Sequence, residues 1–282
     1  MKILVTGANG YIGSKVVSKL IDLGHEVIAV DLDTNHIDPR AKIYKLNIFE
    51  NKAYYNIFQS PDVCLHMAWR NGFVHNSDTH MSDLSNHYIF LKNLVDSGIK
   101  KIAVMGTMHE AGYFEGKMDE LSSTNPISMY GIAKDSLRRS LKLYCKEKEA
   151  MFQWLRDFYI FGDDAFGNSI FCKIRQAVKD GKKQFPFTTG KNKYDFIHID
   201  DLVTQISYAV SQNDILGEIN VCSGKPVSLS EQIEWYISKN NLPITLEYGK
   251  YPDRPYDSPC VYGDDSKIKT IMEKIENTRK EK

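Results

Sequence analysis

Short apolar runs separated by stretches of helical periodicity fill the first half of the chain. Residues 2–5, 26–30, 43–46, 63–67 and 102–105 each hold several consecutive apolar side chains, the mark of strands buried on both faces. Between the first two lies a run that places Val16, Val17, Leu20 and Ile21 on one helical face, and before the fifth lies another around Leu91 and Leu94. Strand and helix in alternation predict an α/β fold, a Rossmann-type doubly wound parallel sheet. Residues 153–156 supply a further strand. Beyond Gly162 the regularity breaks at Gly167, Gly181, Pro186 and Gly190, then resumes at 196–197 and 219–221. The pattern divides the chain into a first domain, 1–164, completed by about 195–222. The remainder, 165–282, reads as mainly a smaller lobe over the C-terminal edge of the sheet, where ligands of open α/β folds bind.

The first strand runs directly into Thr6-Gly7-Ala8-Asn9-Gly10-Tyr11-Ile12-Gly13. Glycines at 7, 10 and 13, wedged between a strand and a helix, let the backbone turn sharply and approach a pyrophosphate. The unpaired N–H groups of the helix behind them favour its negative charge. The first domain is therefore a dinucleotide-binding domain. Asp31 ends the second strand, 18 positions after Gly13. A carboxylate there accepts both ribose hydroxyls and repels a 2′-phosphate, which selects NAD; Arg40 nearby leaves NADP open. Tyr130 and Lys134, four apart on a helix, share one face. An adjacent ammonium favours the phenolate and lowers the tyrosine pKa toward working pH, fitting it to exchange a proton with a hydroxyl or ketone.

Composition narrows the picture further. The chain has 282 residues, with 42% hydrophobic and 26% charged, an ordinary globular balance. Lys plus Arg and Asp plus Glu each number 36, so no global field draws nucleic acid or an anionic membrane. The five cysteines (Cys64, Cys145, Cys172, Cys222, Cys260) are scattered, as reduced thiols of a cytoplasmic protein are, and they carry no metal spacing. No apolar run is long enough to cross a bilayer, and Met1 leads straight into a core strand.

Together these motifs resemble the extended short-chain dehydrogenase/reductase family of NAD-dependent sugar-nucleotide epimerases, dehydratases and reductases. The likeness covers roughly Met1 to Lys269. Residues 62–68 (DVCLHMA) are similar to the family's D-x-V-x-H-L-A stretch and 195–201 (DFIHIDD) to its R-D-F-I-H-V-D-D segment. Asn220 with Gly224, and Arg254 with Asp257, match two later signatures. The resemblance implies that Asn9, Tyr11, Ile12, Asn47, Ile48, Met67, Ala68 and Asn86 join Gly7, Gly10, Gly13, Asp31, Tyr130 and Lys134 around the cofactor. It implies Thr107, Tyr130 and Lys134 as catalytic residues. Around the substrate it implies Trp69, Arg70, Met108, His109, Tyr159, Asn168, Ser169 and Arg254, with His66, His75 and Lys173 as further candidates.

The sequence departs from the family in places that matter. Where its 4,6-dehydratases carry Asp-Glu after the threonine, this chain has Met108-His109, and methionine cannot protonate a leaving hydroxyl. Tyr159 stands in place of an asparagine and Tyr194 in place of an arginine. Residues 105–116 and 185–192 resemble the branch that reduces dTDP-4-keto-6-deoxyglucose. The expected activity is thus reduction of the 4-keto group of a nucleotide-linked 4-keto-6-deoxy sugar, with the substrate dTDP-linked. A 4-epimerase that retains its NAD uses the same three residues, so both readings stay open. A non-catalytic NAD(P)-binding protein is the third, disfavoured by retention of Thr107, Tyr130, Lys134 and Arg254. The resemblance also implies a homodimer, paired through the helices around Leu91 and Leu141.

Overall fold

The computed structural model describes residues 1–50, 52–162, 169–253 and 257–280. The elements run β1 (Lys2–Thr6), α1 (Tyr11–Asp22), β2 (Glu26–Asp31), β3 (Lys42–Lys45), α2 (Tyr54–Ile57), β4 (Val63–His66), α3 (Thr79–Asp96) and β5 (Lys101–Thr107). A 3₁₀ turn (Met108–Glu110) leads to β6 (Gly116–Met118), α4 (Met129–Glu147), β7 (Met151–Asp157), β8 (Tyr159–Phe161) and α5 (Ile170–Lys179). The chain then continues through β9 (Gln184–Pro186), β10 (Lys193–His198), α6 (Ile199–Val210), β11 (Gly217–Val221) and β12 (Pro226–Ser228). It ends with α7 (Leu229–Lys239), β13 (Thr245–Glu247), β14 (Cys260–Gly263) and α8 (Ser266–Lys280).

A seven-stranded sheet in the order β3-β2-β1-β4-β5-β7-β11, parallel throughout, forms the larger lobe. This is the doubly wound architecture that the strand–helix alternation predicts. Side chains alternate along each strand between two cores, so near-continuous apolar runs are required. Ile3, Val5, Val27, Ala29, Val63 and Leu65 meet α1, α6 and α8 through Val17, Leu20, Leu202, Ile206 and Ile271. Leu4, Ile28, Val30, Cys64, Ile102, Val104 and Trp154 meet the opposite layer through Tyr54, Leu91, Leu94, Leu137 and Leu141.

The smaller lobe has its own core, built from Met118, Phe158, Phe171, Ile174, Phe187, Phe196, Ile233, Tyr236 and Val261. Its sheet runs β12-β10-β14-β6, with β8 also pairing β10, and a two-stranded sheet of β13 and β9 lies apart. The two lobes interleave along the chain. β6 leaves the first half to join the second sheet, while β11 and α8 return to the large lobe.

Asp195 pins this second layer. Its side chain is fully buried and accepts from Ser223 N (2.8 Å), Ser223 Oγ (2.6 Å), Gly224 N (2.9 Å) and Gly263 N (3.1 Å), joining β10 to the turn after β11 and to β14. Removing it strands three backbone N–H donors where water cannot replace the carboxylate. Asp195→Ala should cost about 3 kcal/mol or more in chemical denaturation, and a loss below about 1 kcal/mol would show that the junction holds without it.

Candidate active site

The glycine turn has the geometry of a phosphate cradle. Gly7 adopts φ +71°, and a Cβ there would lie 2.5 Å from Ala68 N. A Cβ on Gly13 would lie 2.1 Å from Gly7 O, so the first turn of α1 packs flat against the loop. Gly10 caps α1 with no side-chain acceptor, and no acidic residue stands in that first turn. A helix N-terminus with no acidic residue of its own favours a bound anion, and the glycine turn before it fits a dinucleotide pyrophosphate. Asp31 sits at the end of β2, accepting from Asn9 N (2.9 Å) and Leu32 N (2.7 Å). A carboxylate has room for about four hydrogen bonds, which leaves capacity for a ribose diol. Arg40, the residue that left NADP open, is committed elsewhere: it pairs with Asp38 (2.7 Å) and Asp22 (2.8 Å).

Several residues expected around the cofactor hold the loops in place. Asn9 accepts from His36 N through its side chain (2.7 Å), and the Tyr11 hydroxyl donates to Gly162 O. Asn47 accepts from Phe49 N through its side chain (3.0 Å), and Ile48 is buried in the core with Tyr54 and Phe58. Ile12, Met67 and Ala68 pack partly buried against the two cores of the large lobe, and Asn86 lies half-buried in the middle of α3.

Thr107, Tyr130 and Lys134 converge at the C-terminal end of β5. Thr107 begins a capping box, T-x-x-E. Its hydroxyl accepts from His109 N (3.4 Å) while Glu110 Oε1 accepts from Thr107 N (2.7 Å). Ser128 caps α4 through Gly131 N (3.1 Å), which places Tyr130 in the helix's first turn. Lys134 donates to Met105 O (2.9 Å), with its ammonium 4.0 Å from the Trp69 ring centroid and 5.9 Å from that of Tyr130. Burial lowers its pKa to about 8, so the ammonium still dominates at neutral pH.

The phenol behaves opposite to the expectation from the Tyr/Lys spacing. Burial pushes its pKa up and the Asp157 carboxyl pushes it further, the neighbouring Thr107 hydroxyl opposing them. The four-residue spacing puts phenol and ammonium on one face, but desolvation outweighs that proximity, leaving Tyr130 a proton donor at neutral pH.

Two carboxyls that the sequence reading left out of its site residues stand here. Glu110 is fully buried; besides Thr107 N it accepts from Trp154 Nε1 (2.8 Å) and Arg156 (3.4 Å) and pairs with Arg138 (3.6 Å). Its place was legible in the capping-box spacing. Asp157 was not, because only strand pairing sets it opposite Thr107. Burial raises its carboxyl to about 7, with Glu110 adding to the rise and Lys134 and Thr107 opposing it.

The residues expected to line a substrate pocket divide. His75 and His109 form a wall beside Tyr130, with ring centroids 4.4 Å apart and His75 stacked on the phenol at 5.6 Å. Tyr130 N donates to His75 O (2.9 Å), which ties the loop after β4 to the start of α4. Burial lowers His109 to about 4, with His75 adding to the effect, so its ring is neutral. Tyr159 packs on Tyr194 (4.4 Å) at the edge of the small core. Others belong to the framework. Met108 is buried in the small core and Ser169 caps α5 through Cys172 N (3.2 Å). Arg70 is held by Asp83 (2.8 Å), and Trp69 donates to His80 (3.0 Å) while stacking on His87 (4.4 Å). His66 is buried between Thr6 (2.8 Å) and His87 (2.9 Å), because strand alternation turns it into the helix-covered layer. Lys173 lies exposed on α5, and Asn168 and Arg254 lie outside the described residues.

Residues 3–222 match the NAD dependent epimerase/dehydratase family, and the chain belongs to that family. It is 40% identical over 269 residues to the dTDP-6-deoxy-L-talose 4-dehydrogenase (NAD(+)) of Aggregatibacter actinomycetemcomitans, covering 93% of this chain and 99% of that one. It is 26% identical over 303 residues to the UDP-glucose 4-epimerase of Halalkalibacterium halodurans, covering 96% and 90%. The structure of Thermotoga maritima UDP-glucose 4-epimerase with UDP-glucose shares the fold at a TM-score of 0.80 and 24% identity, covering 96% and 92%. Among the described residues no helix is long and apolar enough to cross a membrane.

The carboxylate at the end of β2 keeps capacity to accept a ribose diol. Asp31→Ala should narrow the preference for NADH over NADPH by about tenfold, the equivalent of ~1.4 kcal/mol. Fluorescence titration of both cofactors checks this, and an unchanged ratio would remove Asp31 from the adenosine ribose.

Proposed function

We propose that the protein is an NAD-dependent oxidoreductase acting at C4 of a dTDP-linked 6-deoxyhexose, reducing the 4-keto sugar or, in reverse, oxidising the 4-hydroxyl. The observation that carries the reading is the convergence of Thr107, a protonated Tyr130 and Lys134 at the end of β5. The C4 redox chemistry and the dTDP carrier are supported by the name of the 40% identical relative, a dTDP-sugar 4-dehydrogenase. Bound NADH or NAD supplies the hydride donor or acceptor.

The protein's own residues do the rest. In reduction, Tyr130 gives its phenolic proton to the C4 oxygen as negative charge develops there. The raised pKa suits this direction, since the donor is fully protonated at the working pH. Thr107 donates a second hydrogen bond to the same oxygen, a preorganised donor beside the phenol. Lys134, anchored by Met105 O, keeps two further N–H donors for the hydroxyls of the nicotinamide ribose. His109, held neutral by burial, walls the site together with the ring of His75.

A homodimer through α3 and α4 belongs to the same proposal. Met81 and Ile89 on α3, and Ile132 and Leu143 on α4, leave apolar side chains exposed where a second copy's helices would cover them. The five free thiols, three of them buried, suit a reducing cytoplasm.

Purified protein incubated with dTDP-4-keto-6-deoxyglucose and NADH, or with dTDP-6-deoxy-L-talose and NAD, should change NADH absorbance in step with sugar turnover. Interconversion of 4-epimers by tightly held cofactor, with no net absorbance change, would replace the reading by a 4-epimerase. Tyr130→Phe should lower kcat roughly 10³-fold with NADH affinity within about twofold of wild type, and normal turnover would remove Tyr130 from proton transfer.

A further inference from the structure

The Lys134 ammonium donates to Met105 O (2.9 Å), which restrains it along one direction only. A second restraint is an aromatic face. The Trp69 ring centroid lies 4.0 Å from Nζ, well inside the ~6 Å within which a ring quadrupole attracts a cation. Lys134 is buried, where such an attraction is stronger than at the surface. The indole is itself fixed at its edge and on its face. Its Nε1 donates to His80 Nδ1 (3.0 Å); since an indole nitrogen only donates, His80 carries its proton on Nε2, directed at Val74 O (3.0 Å). The ring also stacks on His87, with centroids 4.4 Å and planes 10° apart. His80 and His87 stand seven residues apart, on one face of α3. His87 is bonded to His66 of β4 (2.9 Å), and His66 to Thr6 of β1 (2.8 Å). The ring beside the ammonium is thus braced against two neighbouring strands of the large sheet.

Resting on the reading of Lys134 as the ligand of the nicotinamide ribose, we propose that Trp69 is a positioning residue. Its indole face holds the Lys134 ammonium at the point from which that ammonium reaches the cofactor. The ring attracts the charge as a whole and claims no particular N–H, so the donors not given to Met105 O stay available for ribose hydroxyls. An aliphatic side chain could fill the same space, but it would neither attract the charge nor bond His80. The half-buried indole therefore acts on the cofactor through the lysine.

Fluorinated tryptophans introduced at residue 69 alone, with Trp154 and Trp235 left intact, separate charge attraction from packing. Fluorine withdraws electrons from the ring face with little change of shape, and it makes the indole N–H a stronger donor to His80. Only the attraction for the ammonium weakens. From tryptophan to tetrafluorotryptophan the NADH dissociation constant, read by cofactor fluorescence, should rise stepwise to roughly tenfold. Trp69→Phe, which keeps an aromatic face, should bind NADH more tightly than Trp69→Leu. In the cofactor-free protein the ε-methylene NMR signal of Lys134, assigned by its loss in Lys134→Arg, should be moved upfield by the ring current. In Trp69→Leu it should return toward the ordinary lysine position. A flat fluorine series, or an unshifted Lys134 signal in the wild type, overturns the proposal. NADH affinity unchanged in Lys134→Met would instead remove Lys134 from the ribose, and with it the reading on which the proposal rests. None of these readouts needs a sugar. If no nucleotide sugar is turned over, the oxidoreductase reading fails, and the NADH series still decides the role of Trp69.

Discussion

A single buried carboxylate organises the site. Glu110 lies at the seam between the lobes with no exposure, and its charge is tolerated because donors arrive from three elements. Thr107 N comes from β5, Trp154 Nε1 and Arg156 from β7, and Arg138 from α4. A buried ion cluster of this kind contributes little net stability, since desolvation offsets much of the attraction, but leaving it half-made is costly, so its geometry is enforced. The constraint spreads outward. Trp154 reaches Glu110 only by lying over residue 106, where a Cβ would fall 2.0 Å from its Nε1, so that position must be glycine. Arg138 in turn meets Asp135 and Glu218 at 2.6 Å each, tying the helix that carries Tyr130 to the last strand of the large sheet.

The imidazoles around the phenol show the same economy of charge. His66 and His87 hydrogen-bond each other under the loop that carries Trp69, and burial holds both below their ordinary pKa, His87 at about 3. His109 is likewise neutral, and the Lys134 ammonium lies 5.9 Å from the centroid of the phenol ring. Where burial lowers the local dielectric, each hydrogen bond at the reacting oxygen counts for more than it would in solvent.

Motif likeness and local role separate instructively in the second lobe. The stretch beginning at Asp195 is the segment most like a family signature there, yet its carboxylate binds three backbone N–H groups and a serine hydroxyl. Asn220, from the next signature, likewise donates to Met118 O (2.7 Å) and accepts from Arg156. Gly224 adopts φ +71°, and a Cβ there would also strike the Asp265 carboxylate at 2.2 Å, so both backbone and space call for glycine. These residues set the lobe's shape, and the site inherits its shape from them.

The amino-acid sequence by itself determined the parallel sheet, the glycine turn and the helical spacing of Tyr130 and Lys134, because each rests on interactions a few residues apart: strand runs, a backbone turn, one helix face. The short strands β6, β9, β12, β13 and β14 left no such trace, since three or four residues carry too little periodicity and their pairing partners lie far along the chain. Only the tertiary structure decided that Asp157 faces Thr107, that His66 and Ile48 are packed away, and that burial overrides the lysine in setting the phenol's acidity. Register between strands fifty residues apart and desolvation by a completed core are properties of the assembled fold, and no local pattern encodes either.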